Sequence, residues 1–272
     1  MALITITSGI GCGAEEIGLL VAEKLSLEFY DDRRLEEQAV KMGIPPEGLS
    51  GFDEKAPGLL NRLFGRKPEI YLNLVHSLLY QVSSGDKAVL LGHGAPWLLQ
   101  DFGCALHVCI YASNASRIQR LVNRRGVSPE AAEKLIQKSD SERSGFFQYA
   151  FRMDWKDASL YDLMINRDKL EKDLAAKVIV EVAQSQEIRA CSLTSLDAME
   201  RLALAKRVEA ALLEAKISLQ ELSIEVLELG GVKVSGWLSP LVSKTGLTEI
   251  VNSVPGVAEV VLDISSVPRP HI

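Results

Sequence analysis

The chain begins with the apolar stretch Ala2-Leu3-Ile4-Thr5-Ile6-Thr7, which continues into the glycine-rich turn Ser8-Gly9-Ile10-Gly11-Cys12-Gly13-Ala14. A helical pattern follows directly, over residues 15–25. A strand, a glycine loop and a helix in this order present backbone N–H groups and a helix N-terminus to a phosphate in parallel α/β proteins. The stretch therefore predicts a phosphate site at Gly9, Gly11, Cys12, Gly13 and Ala14. The alternative is a plain β–α turn, since ordinary tight turns also use glycine.

This loop lacks the charge that phosphate loops usually carry. The pattern G-x-x-x-x-G-K-[ST] places a lysine and then a hydroxyl after its last glycine. Here Gly13 is followed by Ala14, Glu15 and Glu16. Two acidic residues in a first helical turn suit the helix dipole, but they repel a triphosphate. If both glutamates face into the loop cavity, the interpretation of the chain as an active kinase becomes hard to maintain.

The rest of the first 190 residues alternates between strands and helices, which indicates an α/β domain with a parallel sheet. Strands are predicted at 3–7, 27–30, 88–91, 105–111 and 161–166. Helices are predicted at 15–25, 33–42, 70–82, 113–126, 128–147 and 168–184, with a Gly- and Pro-containing loop at 47–68. The Ser128-Pro129-Glu130 run is a typical helix start.

The pattern breaks into polar residues near 185–196, which predicts a domain boundary there. Two domains follow, at 1–190 and 197–266. The second has the predicted order α-β-β-α-β, with helices at 198–215 and 241–251 and strands at 222–229, 232–238 and 257–264. This order is typical of a small α+β domain.

The composition limits the classes of function and location. A net charge of −6 argues against unspecific nucleic-acid binding. The apolar runs are shorter than the ~20 residues that span a bilayer, and the start of the chain is not typical of an export signal. The four cysteines form no CxxC pair, so no metal site is predicted and reduced thiols in a cytoplasmic protein are expected. Cys12 is either a reactive thiol at a helix N-terminus or a small residue that fills space.

A basic stretch runs from Arg117 to Arg152, with eight basic and four acidic residues in a chain that is acidic overall. Arg117, Arg120 and Arg124 recur at helical spacing and share a face. Phosphoryl transfer needs such cations, because negative charge develops on the transferring oxygens. The alternative is a solvated helix face with ion pairs between neighbouring turns.

Three further polar residues follow predicted strands, where ligand-facing groups often lie. His93 could donate to a phosphate or act as an acid or base, and it could equally be a structural histidine. Asp31 and Asp32 could orient a ribose or a magnesium ion, and they could equally form a turn.

Taken in order, these residues resemble the cytidylate kinase-like family over about residues 3–184. The resemblance depends on the opening strand and loop, Glu16-Ile17-Gly18, Phe29-Tyr30-Asp31, Val89-Leu90-Leu91-Gly92, Arg117-Ile118, the segment from Lys138 to Arg143, and Tyr161-Asp162-Leu163. It also includes Asp53-Glu54-Lys55-Ala56-Pro57 and Trp155.

The resemblance implies a P-loop nucleoside monophosphate kinase fold that transfers a phosphoryl group from ATP to a nucleotide such as CMP, with Mg²⁺ bridging the phosphates. ATP would lie on residues 9–14. The acceptor would lie near Asp31, His93 and Asp140. Residues 117–143 would form a helical lid whose Arg117, Arg124 and Arg143 act on the phosphates.

The chain departs from the family pattern at three cations. The family typically has an arginine where this chain has Ser8, a Gly-Gly-Arg-Glu run where it has Gly13-Ala14-Glu15-Glu16, and a Gly-Arg where it has Gly92-His93. Because losing one phosphate-clamping arginine can cost orders of magnitude in rate, the alternative is a degenerate kinase domain that binds a nucleotide as a sensor or scaffold.

The tail resembles a BON domain through its α-β-β-α-β order, Gly231-Val232-Lys233-Val234-Ser235-Gly236, and Val254-Pro255-Gly256-Val257. The resemblance implies binding of a phospholipid or of a partner. Acidic residues outnumber basic ones over 195–265, which argues against attraction to an anionic membrane. A protein or small-ligand partner is therefore expected, and a purely structural accessory is the alternative.

Overall fold

The structure is a computed structural model that describes residues 3–44, 68–188, 190–239 and 241–266. The contacts within the chain divide it into two compact units. The first unit comprises Met1–Gly65 and Gly85–Ser195, and the second comprises Arg66–Ser84 and Leu196–Ile272.

The first unit is built on a five-stranded parallel sheet flanked by helices. Its strands are β1 (Leu3–Ser8), β2 (Glu28–Tyr30), β3 (Ala88–Leu91), β4 (Ala105–Tyr111) and β5 (Leu163–Asn166), in the spatial order β2-β3-β1-β4-β5. Its helices are α1 (Ala14–Leu25), α2 (Asp32–Lys41), α4 (Ala95–Leu98), α5 (Asn114–Arg125), α6 (Pro129–Phe151) and α7 (Lys172–Ala183). The predicted α/β fold class is confirmed, and each predicted strand of this sheet is present.

The sheet has helices on its faces, which explains why β1 and β4 read as nearly continuous apolar runs rather than as alternating ones. Ile4 and Ile6 of β1 are fully buried. Ile17 and Val21 of α1 share a core cluster with Ile179 of α7. This packing fixes the start of α1 above the central strand, which is where the glycine loop must end.

The two helices of the basic stretch have clear N-caps. The Ser113 hydroxyl accepts a hydrogen bond from the backbone N–H of Ser116 at the start of α5, and Ser128 does the same for Ala131 at the start of α6. The predicted helix start at Ser128-Pro129-Glu130 is therefore confirmed. Helix α6 continues four residues beyond the predicted end, because its last turns carry a buried aromatic cluster of Phe146, Phe147 and Phe151.

The second unit contains α3 (Pro68–Ser83), most of α8 (Leu193–Glu214), β6 (Leu222–Val226), β7 (Gly231–Leu238), α9 (Lys244–Asn252) and β8 (Glu259–Ser266). Strand β7 pairs antiparallel with β6 and parallel with β8. From α8 onward the predicted α-β-β-α-β order is present, with a core that includes Val208, Val234 and Leu247. The BON resemblance itself stays a prediction.

Helix α3 belongs to the second unit, although its neighbours in the sequence belong to the first. The predicted boundaries, 1–190 and 197–266, place residues 70–82 in the first domain, whereas the contacts group this helix with the second unit. Most of its side chains are buried, including Ile70, Leu74 and Leu78. The predicted loop at 47–68, except for Pro68, and the Asp53–Pro57 motif lie outside the described residues.

The expectation that all four thiols are reduced is wrong for two of them. Cys104, just before β4, forms a disulfide with Cys191, just before α8. The two residues are 87 positions apart, and only the fold brings their Cα atoms to 4.9 Å. The predicted cytoplasmic location stays a prediction. No helix in the described ranges is long and apolar enough to cross a bilayer.

Burial of His76 on α3 makes the stability of the protein depend on pH. Burial, and to a smaller extent the charge of Lys206, lowers the pKa of His76 to about 3. The folded state thus keeps this histidine neutral, while the unfolded chain takes up a proton below about pH 6.5. Above pH 6.5, His76 therefore does not lower the free energy of unfolding. Below pH 6.5 the free energy of unfolding falls by about 1.4 kcal/mol per pH unit as the pH drops towards 3.

We therefore expect the free energy of unfolding to fall by roughly 2 kcal/mol from this residue between pH 7 and pH 5. Urea titrations of the wild type and of His76→Gln at both pH values measure this effect. The variant should lose that part of the pH dependence, and equal slopes in the two proteins would contradict the prediction.

Candidate active site

A cleft of about 530 Å³ lies in the first unit, at the carboxyl ends of the parallel strands. The loop after β1 and the first turn of α1 form its floor. The segments that follow β2, β3 and β5 contribute one or two side chains each, and α5 and α6 contribute the rest. In open α/β sheets, ligands bind at this edge, beside the central strand where the connections diverge.

The glycine loop has the geometry of an anion site. Gly11 and Gly13 adopt positive φ angles of 86° and 77°, and Gly13 is the N-cap of α1. Of the predicted loop residues, Gly9, Gly11, Gly13 and Ala14 line the cleft. The free N–H groups of the first turn of α1 therefore point to the cleft, as in phosphate sites at helix N-termini.

Cys12 lies beneath this loop. It is 1% exposed, and burial raises the pKa of its thiol. Its backbone N–H donates to the Gly9 carbonyl at 3.3 Å, which tightens the turn. A buried thiol with a raised pKa is a poor nucleophile, so the structure favours the space-filling interpretation.

Arg117 and Asp140 form a buried ion pair behind the loop. The guanidinium of Arg117 donates to both carboxylate oxygens of Asp140, at 2.8 and 2.7 Å, and its Nε donates to the Ile10 carbonyl at 2.8 Å. Burial by itself lowers the pKa of Arg117, but the hydrogen bonds and charge of Asp140 outweigh it and raise the pKa. A Cβ on Gly9 would lie only 2.6 Å from Nη2 of this arginine. Neither Arg117 nor Asp140 lines the cleft, so their predicted catalytic and substrate-binding roles stay predictions.

Arg124 of α5 reaches across to the two glutamates of α1. Its guanidinium lies 3.1 Å from Glu15 and 3.5 Å from Glu16, and all three side chains line the cleft. The glutamates thus face the cavity, which is the arrangement that weighs against catalysis. Their charges are partly compensated, since one arginine of the predicted lid pairs with both.

Arg143 of α6 also lines the cleft. Its guanidinium carbon lies 5.3 Å from the centre of the Trp155 ring, a distance at which a cation is attracted to the ring face. The indole N–H of Trp155 donates to the Ser144 hydroxyl at 3.2 Å. A fixed aromatic ring therefore orients this predicted catalytic arginine.

The residues that follow β2 and β3 form a second polar side of the cleft. His93 is 3% exposed, and its Nε2 lies 2.8 Å from a carboxylate oxygen of Asp32. Both line the cleft. Asp31 does not, because its carboxylate caps α2 by accepting from the backbone N–H of Arg34 at 2.8 Å. The turn-forming interpretation thus fits Asp31, and Asp32 is the carboxylate that reaches the site.

Sequence reasoning identifies the positive charge of the cleft only in part. Arg120 lies on the predicted basic helix face but is given no role there, Arg125 is only a member of the basic stretch, and Arg167 is not singled out. Arg167 follows β5 directly, and its position at the carboxyl edge of a parallel sheet could have identified it. With Arg124 and Arg143, five arginines line the cleft against three carboxylates, in a chain whose net charge is −6.

Comparisons with known proteins agree with this geometry. The model of the cytidylate kinase-like family matches residues 3–169. The chain belongs to the cytidylate kinase-like family. The matched range contains every residue that lines the cleft.

Two relatives and one solved structure are similar to this chain at low identity. The cytidylate kinase of Sulfurisphaera tokodaii is 26% identical over 179 residues, which cover 65% of this chain and 92% of that protein. The cytidylate kinase of Desulfurococcus amylolyticus is 28% identical over 185 residues, with coverage of 67% and 92%. The crystal structure of an uncharacterized protein from Eubacterium ventriosum has a TM-score of 0.53 and 19% identity, and the match covers 68% of this chain and all of that one. This last likeness shows the fold alone.

Proposed function

We propose that this chain transfers a phosphoryl group from ATP to a nucleoside monophosphate such as CMP. The observation that carries the proposal is the convergence of a glycine loop, a helix N-terminus and five arginines on one cleft. Phosphoryl transfer requires mostly positioning and stabilisation of charge on oxygen atoms. Both are supplied by backbone N–H groups and guanidinium groups.

In this proposal the phosphates of ATP lie on the loop from Gly9 to Ala14. Arg124 and Arg143, from the two helices of the lid, contact the phosphoryl group that is transferred. Asp32 and His93 lie on the opposite side and bind the acceptor nucleotide. Closing of the lid over the cleft would exclude water and so prevent hydrolysis of ATP.

A fixed protein site for Mg²⁺ is not needed for this chemistry. No group of three or more His, Cys, Asp or Glu side chains suited to a metal occurs in the ranges that the structure describes. Mg²⁺ usually binds through one or two carboxylates together with the phosphates of the substrate. Asp32 lines the cleft and fits this role. Bound with ATP, Mg²⁺ would neutralise charge on the phosphate oxygens.

The test is an assay of ADP formation on the full chain with ATP, Mg²⁺ and each of CMP, UMP, AMP and GMP. We expect turnover with at least one monophosphate and a raised melting temperature with ATP, because a ligand that binds only the folded state stabilises it. A chain that forms no ADP with any monophosphate would contradict the proposed transfer.

A specific observation favours a second candidate. Glu15 and Glu16 face the cleft where a lysine or arginine would be expected. A domain of this kind could bind a nucleotide without turnover and act as a sensor coupled to a partner of the BON-like tail. Stabilisation by nucleotide with no ADP formed would support this candidate over the first.

Glu15 supplies a prediction that applies to both candidates. Glu15→Gln removes a negative charge from the floor of the cleft and releases Arg124 from one of its two pairs. We expect the Kd for ATP to fall by about 2- to 5-fold, which corresponds to the free energy of one exposed charge pair, up to about 1 kcal/mol. Calorimetric titration measures it, with Glu23→Gln as the control, because Glu23 is exposed on the same helix and does not line the cleft. An unchanged or weaker affinity in Glu15→Gln would contradict the expectation.

A further inference from the structure

Two arginines lie side by side next to the glycine loop. Arg167 follows β5 and is 5% exposed, and Arg120 lies on α5. Nη2 of Arg120 donates to the backbone carbonyl of Arg167. Nε of Arg167 donates to the carbonyl of Cys12 at 3.4 Å, and its Nη1 donates to the carbonyl of Leu170. Both side chains line the cleft.

These contacts hold the two guanidinium groups without neutralising them. Every hydrogen bond that they make to the described residues goes to a backbone carbonyl, and no described carboxylate forms an ion pair with either. Nη1 of Arg120 is buried and has no acceptor among the described residues. Burial, and then the charge of Arg120, lower the pKa of Arg167, and the charges of Glu171 and Glu16, which form no ion pair with it, oppose this shift by a smaller amount. Two like charges that are held together with donors unused form a site that an anion would stabilise.

Arg167 lies where it could supply the positive charge that the glycine loop lacks. Its Nη2 lies 3.7 Å from where a Cβ on Gly13 would be, so this guanidinium lies close to the residue that caps the N-terminus of α1. The residues that follow Gly13 are Ala14 and Glu15, and neither is a cation. A phosphate at the N-terminus of α1 could therefore accept from both the backbone and Arg167.

We propose that Arg167, with Arg120, supplies the cation that the glycine loop lacks and binds a phosphate group of the nucleotide beside Gly13. This inference rests on the proposed function, because it assumes that a nucleotide enters the cleft. It deepens that function by assigning the cation to the end of β5 and to the lid helix rather than to the loop.

The experiment uses four variants of the full chain. Arg167→Gln and Arg120→Gln remove one charge each but keep an amide that can donate to the same carbonyls. Arg167→Lys keeps the charge. Arg33→Gln is the matched control, because Arg33 is exposed, pairs with Glu37 and does not line the cleft. Inorganic tripolyphosphate and ATP are titrated into each protein by calorimetry at two salt concentrations, and the melting temperature without ligand confirms folding.

We expect the Kd for both ligands to rise by about 10- to 100-fold in Arg167→Gln and in Arg120→Gln, as for the loss of one or two charge-assisted hydrogen bonds. Arg167→Lys should lose less affinity for both ligands, and the Kd of Arg33→Gln should change by less than about twofold. The dependence of the Kd on salt should also be weaker in the two cleft variants, since fewer charges are screened.

The outcomes separate the inference from the function on which it rests. If the wild type binds ATP and both cleft variants bind it equally well, the role of Arg167 and Arg120 is refuted while the proposed function stands. If the wild type binds neither ATP nor tripolyphosphate at millimolar concentration, both are refuted. If Arg167→Gln unfolds, Arg120→Gln and Arg167→Lys still decide the question, because the first must lose affinity and the second must keep most of it.

Discussion

Replacing Arg143 by methionine is expected to lower the kcat of ADP formation by about 10³-fold, the lower limit for an arginine that stabilises a transferring phosphoryl group. Arg143 faces the cleft, and the fixed ring of Trp155 orients its guanidinium. Methionine keeps the unbranched apolar part of the side chain, but it carries no charge. Arg143→Lys should fall between the two, because lysine keeps the charge and loses the planar fork of donors.

A steady-state assay of ADP formation measures this effect, and a urea titration of each variant shows whether the fold persists. Arg152→Met is the matched control, since Arg152 caps the same helix, is exposed and does not line the cleft. We expect its kcat to stay within about twofold of the wild type, as for a surface substitution away from the site. A kcat of Arg143→Met within threefold of the wild type would show that Arg143 does not contribute to catalysis. The lid would then lack its largest proposed contribution to the rate.

The elements of the sheet could be predicted from sequence because burial on both faces leaves a clear signal. β3 and β4 were predicted with the bounds that the structure has, Ala88–Leu91 and Ala105–Tyr111. Both are apolar runs that end in turn-forming or polar residues, so their limits are local properties. The predicted α-β-β-α-β order of the tail depends on a different local signal, because buried and more exposed residues alternate along β6 and β7.

The roles of the arginines were harder to predict, because they depend on which element lies across from each side chain. Arg117 and Arg124 share a face of one helix in the sequence pattern, yet Arg117 is buried against Asp140 and Arg124 reaches Glu15 in the cleft. Arg167 lies far from the basic stretch, and only the position of β5 at the edge of the sheet brings it to the loop. The disulfide between Cys104 and Cys191 could not be predicted for the same reason, since nothing in the sequence near either residue indicates its partner.

The pair of Arg117 and Asp140 leads to the largest expected change in stability. Asp140→Asn keeps the shape of the side chain but removes the charge that balances a guanidinium whose side chain is only 7% exposed. Leaving one buried charge unpaired costs about 3–5 kcal/mol, because the ion has lost its hydration without compensation. We therefore expect the free energy of unfolding to fall by that amount, measured by urea denaturation at pH 7. The double variant Arg117→Met/Asp140→Leu should recover most of the loss, since apolar residues of similar volume remove the unpaired charge altogether.

Glu142→Gln is the control for this substitution, because Glu142 lies two residues further along the same helix and, among the described residues, its one ion pair is a long contact of 4.0 Å with Lys138. Its effect on stability should stay below about 0.5 kcal/mol.

The measurements on Asp140→Asn and on the double variant also decide between two roles for Asp140. If Asp140→Asn keeps the stability of the wild type but loses affinity for the acceptor monophosphate, the carboxylate binds substrate, as the family resemblance implies. If the stability falls and the double variant restores the stability but not the ATP affinity, the ion pair instead holds the Ile10 carbonyl, and with it the glycine loop, in the conformation that receives a phosphate, because the double variant lacks the Arg117 Nε that donates to this carbonyl.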